Sequence, residues 1–229
     1  MTTTRETSAL AFLRQIPFLG SLPLSDLTEL AMLCQSEQIQ RNSPIYHKGE
    51  VSSHLFLLLR GSVKICSFSD DGREIIKEML GPVTLFGDLG IVGEKERQEN
   101  AFSMQDDVQL LRMPNEAFRK LIRKHTALSM DIVDWLGSRL RRTEARLEAL
   151  IFKDARERII DFLKDSAEQQ GKKIGFELLI KHSMTQQDIA NYTGTSRQTV
   201  TSVLNELRKS NLIYFNRRSI LIRDLERLG

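Results

Sequence analysis

The chain has 229 residues, 41% of them hydrophobic and 28% charged, which supplies an ordinary globular core and excludes long disorder. A formal net charge of +3 excludes a general polyanion binder, yet the charge is uneven: residues 151–229 hold 14 Lys and Arg against 10 Asp and Glu. Met1–Ser8 is polar and threonine-rich with no apolar signal core, no long apolar run suits a membrane span, and Cys34 and Cys66 do not form a close ligand pair. These features predict a soluble cytoplasmic protein with two reduced, packed thiols and no iron–sulfur cluster.

Ser8–Gly20 is predicted as a short helix, with Leu10, Leu13 and Ile16 spaced by three and Pro17 ending it. Pro23–Cys34 is a second, with Ser25 as its cap and Leu27, Leu30, Ala31 and Leu33 as its apolar face. From Glu37 to Met113 the pattern changes to short apolar runs, His54–Leu59, Ser62–Phe68, Glu74–Leu80 and Val108–Met113, separated by turn signals. Strands of this length and spacing predict an antiparallel sandwich or barrel. Asp71-Gly72 between two such runs marks a hairpin, because both residues tolerate positive φ.

After Pro114 a helical stretch is expected from Asn115 to about Leu150. Within it Ile132, Leu136, Leu140, Thr143, Leu147 and Leu150 recur at intervals of three and four, a heptad-like seam flanked by Arg139, Arg141, Arg142, Glu144, Arg146 and Glu148. The alternative is packing on the domain's own sheet. A narrow apolar line on a charged helix favours a partner helix, most simply the same helix of a second subunit. Another helix, Ala155–Gln170, carries Ile159, Ile160, Phe162 and Leu163 on its core face, and Gly171-Lys172-Lys173 is a basic break.

Met184–Asp224 is the most informative segment. Thr185 followed by Asp188 has the form of a capping box, opening a short helix that ends before Gly194. Ser196 caps a second helix. Two short helices joined by a Gly-containing turn form a helix-turn-helix. On the second helix Val200, Val203, Leu204 and Leu207 share one side, and Gln198, Ser202, Asn205 and Lys209 the other, with Arg197 and Thr201 on its flank. Arg and Gln are the side chains that make paired hydrogen bonds to guanine and adenine edges, so Arg197, Gln198, Thr201 and Ser202 are the candidate base readers. Asn211–Phe215 and Ile220–Ile222 then read as a hairpin with Arg217 and Arg218 at its tip, a wing suited to phosphates.

These residues resemble the CRP/FNR family of regulators. The resemblance rests on His47-x-Gly49-Glu50, on Arg60-Gly61-Ser62-Val63-Lys64, and on Phe86-Gly87-Asp88-Leu89-Gly90. It continues through Met184–Ala190, then Gly194-x-Ser196-Arg197-x-Thr199-Val200 and Leu212-Ile213, and so covers nearly the whole chain. It implies an α+β fold. Residues 1–114 would form an antiparallel, cupin-like and cyclic-nucleotide-binding-like β-roll sensor with N-terminal helices. A long dimerisation helix would cover residues 115–152, and a winged helix-turn-helix residues 153–229. It also implies a homodimer on palindromic double-stranded DNA, half-sites roughly 34 Å apart, with RNA polymerase as a partner if the protein activates. Thr185, Ser196, Thr199, Lys209, Arg217 and Arg218 are then the expected phosphate contacts.

The departures from the family pattern concern the sensor. Members that bind cyclic AMP carry Phe-Gly-Glu and, later, Arg-Ser-Ala. Here Asp88 stands for the Glu, and Glu99-Asn100-Ala101 best matches the second motif. A carboxylate would repel the cyclic phosphate, so the usual mode of cyclic AMP binding is not expected. Arg97 is two residues away and would substitute only if the loop shifted. Thr143 matches a base-contacting Thr of the family, while Glu144 replaces the adjacent Ser. The candidate effector pocket is therefore Gly87, Asp88, Leu89, Arg97, Glu99, Asn100, Ala101, Thr143 and Glu144, with the effector unknown. His47, His54, His125 and His182 show no pairing suited to haem, and no other cofactor or metal is expected. The alternatives are a cupin-type metalloenzyme, for which the His-x-His cluster is missing, and a cyclic-nucleotide-regulated subunit of another enzyme, which the terminal winged helix argues against.

Overall fold

The computed structural model describes residues 9–228; the expectations placed on Met1–Ser8, including the helix start at Ser8, lie outside them. The chain divides into two compact units, one made of residues up to Ser67 with Glu78–Arg141, the other of Phe68–Lys77 with the residues from Arg142 onward. Among the described residues no helix is long and apolar enough to cross a membrane.

In the first unit, helix α1 (residues 9–13) and α2 (Pro17–Gly20) precede α3 (Leu24–Leu33). Pro17 begins α2 rather than ending a longer helix, since a fixed φ and a missing N–H suit the first helical position. Ser25 is not a cap: α3 starts after Pro23, which makes no side-chain cap bond.

Eight strands follow: β1 (Gln35–Ile39), β2 (Pro44–Tyr46), β3 (His54–Arg60), β4 (Val63–Phe68), β5 (Glu74–Leu80), β6 (Thr84–Phe86), β7 (Asn100–Ser103) and β8 (Val108–Pro114). They form two sheets, ordered β1-β8-β3-β6 and β2-β7-β4-β5, and the registered pairs are antiparallel. Alternation along the strand explains why β3 is apolar throughout. Leu55 and Leu57, opposite Met113 and Leu111 of β8, join the core shared with the helices. Phe56 and Leu58 join Tyr46, Val63, Ile65, Phe86, Ala101 and Leu110 in the interior of the roll. Gly72, at φ 81, turns the chain between β4 and β5, as Asp71-Gly72 predicts.

The helical stretch expected from Asn115 is broken. Helix α4 (Asn115–Lys124) ends at His125, which is extended, and α5 (Thr126–Phe152) begins beyond it. The break is pinned by the buried carboxylate of Asp26, which accepts from Lys124 Nζ at 2.5 Å and lies 2.6 Å from His125 Nε2. Phe118 and Leu121 of α4 and Leu128 and Ile132 of α5 are buried in the helix-side core. Ile132 is thus a core residue of its own unit and not part of an exposed seam.

The second unit holds α6 (Ala155–Gln170), β9 (Lys172–Ile174), β10 (Glu177–Lys181), α7 (Gln186–Thr193), α8 (Arg197–Lys209), β11 (Ile213–Phe215) and β12 (Ser219–Ile222). The sheet order is β11-β12-β10-β9, antiparallel throughout. The basic break expected at Gly171–Lys173 is the entry to β9, a hairpin arm that its exposed lysines disguise. Ile159, Leu163, Ile180, Val200, Leu204, Ile213 and Ile222 are buried.

Candidate nucleic-acid interface

The geometry of α7 and α8 is set by their ends. Thr185 accepts a hydrogen bond from the Asp188 N–H at 3.1 Å, and the Asp188 carboxylate accepts from the Thr185 N–H at 2.8 Å. This is the capping box expected from the sequence, and it satisfies donors that a helix start leaves unpaired. Gly194 ends α7 at φ 64 and ψ 42, a left-handed conformation that costs glycine least. A Cβ there would also lie 2.9 Å from Leu150 Cδ2, so the end of that side chain would have to shift. The turn is braced by Arg158 of α6, which donates to the carbonyls of Thr193 at 2.9 Å and Gly194 at 3.2 Å. Ser196 then caps α8 by accepting from the Thr199 N–H at 3.0 Å.

The two faces of α8 separate as the helical period predicts. Val200, Val203, Leu204 and Leu207 are buried. Arg197, Gln198 and Ser202 are exposed, with no acidic residue in the first turn and Arg208 and Lys209 in the last. A helix start free of carboxylates, with its dipole positive there, favours an anion.

Of the expected phosphate contacts, Lys209, Arg217 and Arg218 are exposed. The hydroxyls of Thr185, Ser196 and Thr199 are first of all engaged within the caps, Ser196 Oγ lying 2.9 Å from Thr199 Oγ1. At the wing tip Asn216 Oδ1 accepts from the N–H groups of Arg218 at 2.8 Å and Ser219 at 2.9 Å, which shapes the turn and leaves both arginine side chains outward. Thr201 is turned toward α7, its hydroxyl 2.7 Å from Gln186 Oε1.

Two neighbouring features of this unit escape a reading of the sequence. Hairpin residues 68–77 belong to it. Arg146 of α5 donates to the carbonyls of Ile76, Lys77 and Tyr192, with its guanidinium 3.9 Å from the centre of the Tyr192 ring. Asn191 of α7 donates to Glu74 Oε2 at 2.7 Å. Half-buried His182 sits at the entrance to α7, and loss of solvent lowers its pKa from the ordinary 6.5 despite a backbone contact at Met184.

In the first unit the candidate effector residues Gly87, Asp88, Arg97, Asn100 and Ala101 gather at the interior of the roll, but their polar groups are engaged by the chain itself. Asp88, 1% exposed, receives both of its close contacts from Arg139 Nη1, at 2.6 and 2.7 Å. Arg139 also meets Glu78 at 3.1 Å. Burial works against the Arg139 charge, and the two carboxylates more than offset it, so its pKa is raised. Arg97 is buried, donates to the carbonyls of Gly87 and His54, and stacks 4.3 Å from the centre of the Tyr46 ring. A Cβ on Gly87, at φ 67, would meet Arg97 Nη1 at 2.9 Å. Asn100 accepts from the Lys48 N–H at 3.1 Å, and Ala101 is core. Leu89 is 37% exposed and Glu99 is half-buried. Thr143 and Glu144 lie on the part of α5 that belongs to the second unit, and both are exposed. Arg139 is absent from the sequence-derived pocket; its only signal was a flanking position on the seam.

Residues 36–125 match the model for a cyclic nucleotide-binding domain, and residues 157–229 match that for a Crp-like helix-turn-helix domain. The chain is 32% identical over 205 residues to a CRP-like cAMP-activated global transcriptional regulator of Mycobacterium tuberculosis, covering 90% of this chain and 91% of the relative. It is 28% identical over 218 residues to the global nitrogen regulator of Synechococcus elongatus, covering 95% and 93% of the two chains. The structure of FixK2 from Bradyrhizobium japonicum has the same fold, with a TM-score of 0.77 at 20% identity over 85% of this chain and 95% of that one. Identity of 32% sustained across nine-tenths of both lengths is kinship of the whole sequence, and the chain belongs to the CRP/FNR family of transcription regulators.

Proposed function

We propose that the protein regulates transcription as a homodimer that sets the α8 helix of each subunit into successive major grooves of a palindromic site. The observation that carries this reading is the outer face of α8, where Arg197, Gln198 and Ser202 stand exposed with no carboxylate in the first turn. Arg197 selects guanine and Gln198 adenine, and the wing arginines hold phosphates. Support for the dimer comes from α5, on which Leu140 and Leu147 are each 59% exposed and Leu150 is 40% exposed. Leucines spaced by heptads and left in water on a charged helix are stabilised by pairing with a second copy. In this reading residues 1–114 are the sensor, 115–152 the dimerisation segment and 153–229 the DNA-binding part, acting in the cytoplasm and meeting RNA polymerase where the protein activates.

The sensor does not take cyclic AMP in the usual way. Asp88 is occupied by Arg139, and Glu99 stands where a phosphate-binding arginine is needed. The mycobacterial relative is named as cAMP-activated, so the point is directly testable by calorimetry. We expect no heat of binding for cyclic AMP at micromolar concentrations. The regulator reading itself is tested by selection from a random duplex pool with the purified protein. Enrichment of a palindrome supports it, and a folded dimer that enriches nothing with or without cellular small molecules refutes it.

A further inference from the structure

The geometry points to Thr201 as a positioning residue that aims Gln186 at the nucleic acid, rather than as a reader of bases. This inference rests on the regulator reading. The Thr201 hydroxyl has one hydrogen. It lies 2.7 Å from Gln186 Oε1 and 2.9 Å from the Arg197 carbonyl oxygen, both acceptors within the protein. That hydrogen is therefore consumed internally, and none is left for a phosphate oxygen or a base carbonyl.

The same bond fixes the Gln186 carboxamide. With Oε1 held toward α8, the Nε2 group and its two hydrogens point away from Thr201, and among the described residues they meet no partner. Gln186 opens α7 directly after the Thr185 cap, and Thr201 sits one turn into α8 beside Arg197. The link thus crosses from the first helix of the motif to the reading helix, next to the exposed Arg197 and Gln198. Outward amide donors at that place suit the acceptor oxygens of a phosphodiester. Gln187 does not duplicate the role, because its own amide donates to Asn191 Oδ1 at 2.7 Å. The pair therefore holds α8 at a set register against α7 and supplies a backbone contact. Arg197 and Gln198 are left to read sequence.

The experiment measures the affinity of wild type, Q186A, Q186E, T201V, T201S and the Q186A/T201V double variant for the selected duplex and for each single-base variant of it. Thermal unfolding confirms that every variant is folded. Loss of one amide-to-phosphate bond from each subunit, and so two per bound dimer, predicts that Q186A weakens binding about tenfold or more, by the same factor on every duplex. Q186E keeps the acceptor for Thr201 but faces phosphate with a carboxylate, so it loses at least as much. T201V weakens binding uniformly, T201S restores it, and the double variant is no weaker than Q186A, because the two act as one unit. A T201V or T201S protein that changes preference at one base pair overturns the inference, since Thr201 then reads a base. Additive losses, or wild-type binding by Q186E, also overturn it while the regulator reading stands. A wild type that binds no duplex overturns both.

Discussion

Arg197 and Arg139 show how one residue type takes opposite roles in this chain. Arg197 is exposed at the first turn of α8, poised for a partner outside the protein. Replacing it with alanine should cost about 1–3 kcal/mol of binding and relax the preference at one base pair. Equal weakening on all duplexes in a competition assay would instead make it a phosphate contact. Arg139 has its partners inside. Its removal leaves the nearly buried Asp88 uncompensated, and Arg139→Ala should lower unfolding stability by about 3–5 kcal/mol in denaturant titration. A third residue sets a pH dependence. The His182 pKa is depressed by burial, so below its unfolded value of about 6.5 the unfolded chain takes up a proton that the folded chain refuses. Stability present above that pH is therefore lost as pH falls toward the depressed folded value. The His182→Asn variant should lose less stability than wild type between pH 7 and 5 in parallel melts, and equal slopes would show that His182 does not set it.

At the scale of elements, the helix ends of the helix-turn-helix were legible and those of the first unit less so. Thr185, Asp188, Gly194 and Ser196 act through bonds to residues three or four away, and such local rules are written in local sequence. Thr185→Ala should accordingly destabilise α7 by about 1 kcal/mol in thermal unfolding, and an unchanged melt would count against the capping box as its anchor. Pro17 and Ser25 obey the same rules but at different positions, because Pro serves the start of a helix as readily as it stops one. Strand β1, Gln35–Ile39, carries polar residues along most of its length and was not legible as a strand; it is fixed by its antiparallel register with β8. The break at His125 was hidden for a comparable reason. It depends on Asp26, 99 residues earlier, and no periodicity encodes a partner at that distance. The Arg139–Asp88 pair spans 51 residues and was equally silent.

For the whole molecule, the proposed dimer draws on the exposed leucines of α5. Leu147→Glu should shift sedimentation from dimer to monomer and remove most DNA affinity with it, since each half-site alone binds weakly. A dimer that persists would move the interface elsewhere. The hairpin at Phe68–Lys77 has a different consequence. Its backbone carbonyls at Ile76 and Lys77 satisfy Arg146, and Glu74 satisfies Asn191, so the C-terminal unit is completed by ten residues taken from the middle of the N-terminal half. No single scissile point separates the two units. A fragment beginning at Arg142 would leave Arg146 without two of its acceptors and Asn191 without its carboxylate, and exchanging C-terminal halves between relatives would splice a foreign hairpin onto α7. Chimeras and truncations of this protein must carry that hairpin across with the half it completes.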